Sequence, residues 1–308
     1  MDYSDLDAVT WPYQLTKDMH RELYPTLDPA NPDLAAGGKT VLITGVSGGV
    51  GKAIAEAWSI AGASAIVLTG RKVDVLNDVA AKIKGAAKMP NVKIIVQPAD
   101  LTSEASVKEL WDRAAKDVGK IDVVISDAGA MNWFKIGERE PSEWWNDYEV
   151  NVKGPYMLCH YFLKQADGTG TFIFVGTGCV RSIFPNMSSY ITSKLAQTKL
   201  MEFVHAEHPG IRTFTLLPGL LKTAMTAKDF LPFARDDPML SGGLSLFLCT
   251  PRADWMRGCV MSVNWDIEEM EAHKEEIIRE GRNKLAFLNA RLGKGGHPWE
   301  SSPADQSA

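Results

Sequence analysis

The 308-residue chain predicts an α/β fold in which one parallel sheet is doubly wound, with helices on both faces. Three observations carry that prediction. Seven short runs rich in apolar residues recur along the chain: "TVLITG", "AIVLTG", "KIIVQPAD", "DVVISDAG", "TFIFVGTG", "RTFTLLPG" and "CVMSVNW". Strands of this kind belong to a sheet covered on both sides. Amphipathic stretches such as "GKAIAEAWSIAG" and "ASVKELWDRAAKDVG" fall between them and supply the crossovers. A glycine-rich turn, "TGVSGGVGK", follows the first run and opens the first helical stretch.

In chain order, a Pro-rich, aromatic-dotted leader over residues 1–36 precedes a single domain expected over 37–290, and a tail covers 291–308. No repeat or low-complexity linker divides the domain. Past Trp265 the run "DIEEMEAHKEEIIREGRNKLAFLNARLG" reads as one long charged helix, a C-terminal extension that is either a solvated face with acid-base pairs at four-residue spacing or a functional lid.

The composition, 45% hydrophobic and 23% charged, suits an ordinary globular core. A net charge of -5 argues against a phosphate-backbone binder, which needs clustered Lys and Arg, so no nucleic acid partner is expected. Cys159, Cys179, Cys249 and Cys259 lack metal-ligand spacing and sit in apolar runs, which reads as small buried hydrophobes, and the six histidines read as structural or solvated. No metal is expected. The acidic start "MDYSDLDAVT" is not a secretory or transit pattern, and no run reaches the ~18 apolar residues of a membrane span. A cytoplasmic protein without a membrane partner is the default expectation.

Two motifs carry chemistry. In "TGVSGGVGK" the glycines Gly45, Gly49 and Gly51 lie between a strand ending at Thr44 and a helix beginning near Val50. Exposed amides and the helix dipole at such a junction favour an anion, and glycine lets the backbone approach it. In "SSYITSK", Tyr190 and Lys194 are one helical turn apart on one face. A free phenol titrates near about 10, and an adjacent cation typically lowers an acid by about 1 to 3 units, so Lys194 is placed to make Tyr190 a readier proton donor. The pair taken alone is equally consistent with a surface contact.

Thr44, Gly45, Gly49 and Gly51 match the TGxxxGxG pattern of the short-chain dehydrogenase/reductase family. Asp100 and Leu101 after the third strand, "SDAG" in place of NNAG, Asn151 in "NVKG", the YxxxK of Tyr190 and Lys194, and "PGLLKT" follow in the family's order. The chain thus resembles that family from about Thr40 to Trp265. The ending "VNWDIEEME", in place of the family's common VDGG-like ending, and the leader resemble a fungal branch often placed in specialised metabolism.

The resemblance implies a Rossmann-like fold, a dinucleotide cofactor, and dimer or tetramer formation through the helix bearing Tyr190. The cofactor contacts it implies are Gly45, Ser47, Gly49, Val50, Gly51, Arg71, Asp100, Leu101, Ala128, Gly129, Pro218, Gly219 and Thr223, with Tyr190 and Lys194. Asp100 and Leu101 would hold the adenine, and Lys194 the nicotinamide ribose. The second strand ends in Gly70 and Arg71 where an acidic residue would grip a ribose 2′-hydroxyl, which favours NADP(H). NAD(H) stays open, because Gly48 is not basic and Asp74 is within reach of a ribose.

The implied catalytic set is Asn151, Thr177, Tyr190 and Lys194. Thr177 stands thirteen residues before Tyr190, where the family carries a serine, and Asp127 replaces the second asparagine of NNAG. Threonine keeps the hydroxyl, whereas an ionised aspartate only accepts. Trp133, Phe184, Met187, Met225 and Phe230 follow the motifs and would line a large apolar cleft, with Arg181 able to meet an acidic group. The expected activity is NADPH-dependent reduction of a bulky apolar ketone, reversible as alcohol oxidation. Alternatives are a redox-neutral epimerase, dehydratase or cyclase that retains its cofactor, or a nucleotide-binding protein without catalysis.

Overall fold

The structure, a computed structural model, describes residues 5–86 and 92–286. The first four residues and the tail read over 291–308 lie outside the described residues, as does the end of the domain near 290. All seven runs form strands: β1 (Thr40–Thr44), β2 (Ala65–Thr69), β3 (Lys93–Val96), β4 (Val123–Ser126), β5 (Gly170–Val175), β6 (Ile211–Leu217) and β7 (Cys259–Ser262). They pair in parallel in the order β3-β2-β1-β4-β5-β6-β7. The helices between them are α1 (Gly49–Ile60), α2 (Val73–Ala86), α3 (Glu104–Val118), α4 (Pro141–Tyr148), α5 (Gly154–Ala166), α6 (Ser188–Glu207) and α7 (Met239–Phe247).

Successive strand side chains point to opposite faces, so one chain segment feeds two cores. Val41 and Ile43 of β1 pack with Ile54 and Trp58 of α1 and Leu244 of α7, while Leu42 packs with Leu110 of α3, Leu158 of α5 and Phe172 of β5. Strand order reverses between β1 and β4. The crevice outside their carboxyl ends is where an open α/β sheet receives a ligand.

Residues before β1 are built into the first core. Leu27 and Leu34 are buried there, and α7 comes so close that a Cβ on Gly243 would stand 1.8 Å from the Leu27 carbonyl. The same segment zips onto the chain after β7: Met19 forms an antiparallel bridge with Trp265, the His20 Nε2 lies 2.7 Å from Asp266 Oδ2, and the Glu269 carboxylate accepts from the Lys17 amide.

The long C-terminal helix expected from the charge pattern is instead two short ones, α8 (Ile267–Ala272) and α9 (Lys274–Glu280), broken at His273. Asp266 caps α8 by accepting from the Glu269 amide at 2.7 Å. Gly281, at φ 60°, ends α9 in the left-handed region that glycine tolerates. The turn sends Asn283 back to the sheet, where its carbonyl accepts from Val260 at 2.8 Å and covers part of the edge strand β7. Tertiary pairing therefore overrides a sequence that would otherwise continue as helix.

Among the described residues no helix is long and apolar enough to cross a membrane, and no cluster of His, Cys, Asp and Glu is placed to hold a metal ion.

If the segment before β1 folds with the domain, Leu27→Ala lowers global stability by about 2–5 kcal/mol, the range for emptying a buried leucine site. Urea unfolding monitored at a core tryptophan checks this, and a loss of only a few tenths would show that the segment unfolds separately.

Candidate active site

The glycine turn is held by the strand beside it. The Thr44 hydroxyl accepts from the Asp127 amide at 3.0 Å and the Ala128 amide at 2.9 Å, tying the ends of β1 and β4 together. Gly45 has φ 71°, and a Cβ there would lie 2.6 Å from the Ala128 nitrogen. At Gly51 a Cβ would lie 2.8 Å from both the Asp127 carboxylate and the Gly45 carbonyl. Gly48 begins α1 with no side-chain cap, and Ser47 and Gly49 are exposed beside it. An uncapped helix N-terminus with this much room is suited to a pyrophosphate, so the residues present fit a dinucleotide. Thr223 faces the turn from above, with its methyl 3.3 Å from where a Cβ on Gly49 would be.

Beneath the crevice lies the ammonium of Lys194, a residue only 3% exposed. It donates to the Val175 carbonyl at 2.8 Å and to Gln197 Oε1 at 3.1 Å. Asp127, half-buried on the wall of the neighbouring cavity, accepts from the Gly51 amide. Loss of water raises the Asp127 carboxyl and lowers the Lys194 ammonium, while the attraction between them opposes both shifts.

Asn151, in a short π-helical turn over Glu149–Lys153, is fully buried behind Lys194. Its amide nitrogen donates to the Ala130 carbonyl at 2.8 Å and Ser193 Oγ at 2.9 Å, and its oxygen accepts from the Ala130 amide at 2.8 Å. It therefore pins the loop after Gly129 to α6. Asp147 does the same one turn earlier, accepting from Asn132 and from Ser189 Oγ at 2.6 Å.

Tyr190 and Thr177 meet on the wall of a cavity of about 250 Å³. The expectation that Lys194 acidifies Tyr190 needs correcting. Burial holds the phenol well above its ordinary value, neighbouring Cys179, Asp127 and Asp147 push it the same way, and the lowering influence comes from a hydrogen bond with Thr177. The Lys194 ammonium donates to Val175 and Gln197 and is not among the neighbours that lower the phenol. Cys179 also lines the cavity, half-buried, whereas Cys159, Cys249 and Cys259 are buried with their thiols pushed up to about 12, about 12 and about 11.

Of the other anticipated positions, Val50, Gly129, Trp133, Phe184, Met187, Pro218, Gly219, Thr223, Met225 and Phe230 line this cavity. The Phe184 and Phe230 rings meet edge to face, 5.9 Å apart. Arg181 does not reach it. Its guanidinium lies 5.3 Å from the Tyr13 ring centre and donates to the Pro12 carbonyl, so the acidic group anticipated for it is replaced by contacts within the chain.

Arg71 is exposed at the end of β2, and its charge reaches Asp100. The Asp100 carboxylate accepts from the Thr102 amide at 2.9 Å and hydroxyl at 2.8 Å, which caps its own loop, and Leu101 is buried under that loop. Sequence reasoning missed Val9, Thr10 and Tyr13, which line the cavity from the segment before β1, and Asn264 from the end of β7. No local signal marks them; they arrive through long-range packing.

A glycine turn at a parallel-sheet switch point, beside a tyrosine, a threonine and a buried lysine, defines a dinucleotide-binding oxidoreductase. Residues 39–231 match the family model for short chain dehydrogenases, and the chain belongs to that family. It is 32% identical over 290 residues to the short chain dehydrogenase pigC of Monascus ruber, covering 90% of this chain and 94% of that one. The short chain dehydrogenase andI of Emericella variicolor is 30% identical, with 88% and 95% covered. Among solved structures, a 7α-hydroxysteroid dehydrogenase complexed with NADH and 7-oxo glycochenodeoxycholic acid superposes with a TM-score of 0.69 at 25% identity, over 75% of this chain and 94% of that one. A Thermococcus sibiricus alcohol dehydrogenase, at 24% identity and a TM-score of 0.63, shares the fold over 73% and 96%.

Burial holds the Asp127 carboxyl above its ordinary value, so the folded chain keeps this proton to higher pH than the unfolded chain does. Its contribution to stability is present below the ordinary carboxylate range and is lost as pH rises through the raised folded-state value. Asp127→Asn, which cannot titrate, is expected to lose less stability than the wild type between about pH 5 and about pH 7.5. Urea midpoints at the two pH values check this, and equal losses in both proteins would refute it.

Proposed function

We propose that this chain reduces a bulky, apolar ketone with NADPH, and oxidises the corresponding secondary alcohol in reverse. The observation that carries the reading is that Tyr190 and Thr177 line one cavity together with the buried Lys194 and with Val50 and Gly129 beside the glycine turn. A reduced nicotinamide bound there supplies the hydride. Thr177 donates to the ketone oxygen, or accepts from the alcohol hydroxyl in reverse, and holds it toward Tyr190. The phenol, kept protonated by burial, gives its proton to that oxygen as negative charge develops. Lys194 supplies a fixed positive charge beneath, and Asn151 holds the loop and helix that aim it.

Arg71, at the end of β2, supports the choice of NADP(H) over NAD(H) through its suitability for a 2′-phosphate. The apolar lining supports the substrate class. The fungal relatives favour a role in specialised metabolism. Exposed Tyr156 on α5 and exposed Leu195 and Phe203 on α6 supply the surface for a homodimer or homotetramer. A second reading, redox-neutral catalysis with a retained cofactor, is favoured by Asp127 alone, whose carboxyl on the cavity wall adds a proton acceptor that asparagine would not.

Turnover of a panel of multi-ring ketones, followed by loss of NADPH absorbance and by product mass, separates the two. Tyr190→Phe is expected to lower turnover by about 10²- to 10⁴-fold while still binding NADPH. Undiminished turnover would remove Tyr190 as proton donor, and product without cofactor consumption would favour the second reading. Arg71→Ala is expected to weaken NADPH about tenfold and to leave NADH nearly unchanged; equal losses would overturn the cofactor preference.

A further inference from the structure

We propose that the segment Val9–Tyr13 is a substrate-selecting wall that favours uncharged, flat, multi-ring carbonyl compounds over acid-bearing ones, an inference that rests on the ketone-reductase reading above. Val9, Thr10 and Tyr13 face the same cavity as Thr177, Cys179 and Tyr190. All three lie outside the stretch over which the chain matches its family model.

The segment is fastened at both ends. Arg181 stacks on the Tyr13 ring at 5.3 Å and donates to the Pro12 carbonyl, and the Tyr13 carbonyl accepts from the Trp265 indole at 2.7 Å. The ring rests so closely on the loop after Thr177 that a Cβ on Gly178 would lie 3.0 Å from it. At the other end Arg21 donates to Asp7 and to Thr10 Oγ1, and its other nitrogen donates to Asp236 Oδ1 at 2.6 Å. Asp236 Oδ2 in turn accepts from the Leu220 amide at 2.6 Å. One guanidinium thus joins the segment, through Asp236, to the loop Pro218–Leu221, which lines the same cavity.

These bonds determine what the wall offers a ligand. The Thr10 hydroxyl donates to the Asp7 carbonyl at 2.9 Å and accepts from Arg21, and Arg181 is engaged by Tyr13 and Pro12. What remains facing the cavity is aliphatic and aromatic surface. A carboxylate placed there would be desolvated without a partner, whereas a flat ring would gain contact with Tyr13.

The test uses full-length protein saturated with NADP⁺ and two probes, 9-fluorenone and its 2-carboxylate, with binding read by tryptophan quenching so that turnover is not needed. Wild type is expected to bind the neutral ketone at least about tenfold more tightly than the carboxylate. Tyr13→Ala is expected to weaken fluorenone about tenfold and keep NADPH affinity within about twofold, and Tyr13→Phe to stay near wild type. Should Tyr13→Ala prove unstable, Val9→Trp, which fills the cavity without removing a fastening, is expected to exclude fluorenone while NADPH still binds. Wild type that fails to bind fluorenone or prefers the carboxylate, or a Tyr13→Ala or Val9→Trp protein that binds fluorenone normally, overturns the proposal. Turnover surviving in Tyr190→Phe would overturn the catalytic reading instead and leave the binding result intact.

Discussion

The site is organised around one constraint: an ammonium, that of Lys194, is kept in a nearly dry place at the end of a parallel sheet. A buried cation is tolerated only when hydrogen-bonded and balanced by charge. Here a main-chain carbonyl of β5, a glutamine one turn further along α6 and the Asp127 carboxylate share that task. Asp127 also holds the Gly51 amide, so the charge balance of the lysine and the shape of the glycine turn are one arrangement. The same crowding explains why Gly45 and Gly51 have no room for a side chain.

Tyr190 takes its character from this arrangement in an indirect way. With the lysine charge directed at other partners, burial dominates the phenol, and Thr177 is the neighbour that eases its ionisation. Replacing the family's serine by threonine keeps that contact while stiffening the side chain that makes it. Asp127, in place of asparagine, pushes the tyrosine up and opposes the lowering of the lysine by burial. The two departures from the family pattern therefore act on the same proton donor.

Two features that look unrelated in the sequence, the residues before β1 and the unusual ending after β7, pack against each other. Met19 bridges Trp265, His20 meets Asp266, and Trp265 holds Tyr13. Asn264 links Asp236 to the His20 carbonyl at 3.0 and 2.9 Å. This joint brings a wall to the cavity that a bare sheet with its crossovers would leave open.

The strands, their parallel doubly wound sheet and the glycine, tyrosine and lysine positions were legible from the chain alone, because each rests on local physics: apolar runs bury, glycines permit a tight turn, and a four-residue spacing shares a helix face. What only the tertiary structure decided was where charges and side chains were directed. Arg181 looked free for a ligand and stacks on Tyr13; Asp100 caps its own loop; the charged run after Trp265 breaks at His273 so that Asn283 can cover β7. Each outcome depends on a partner distant in sequence or on competition between desolvation and pairing, and neither can be read from a residue and its near neighbours.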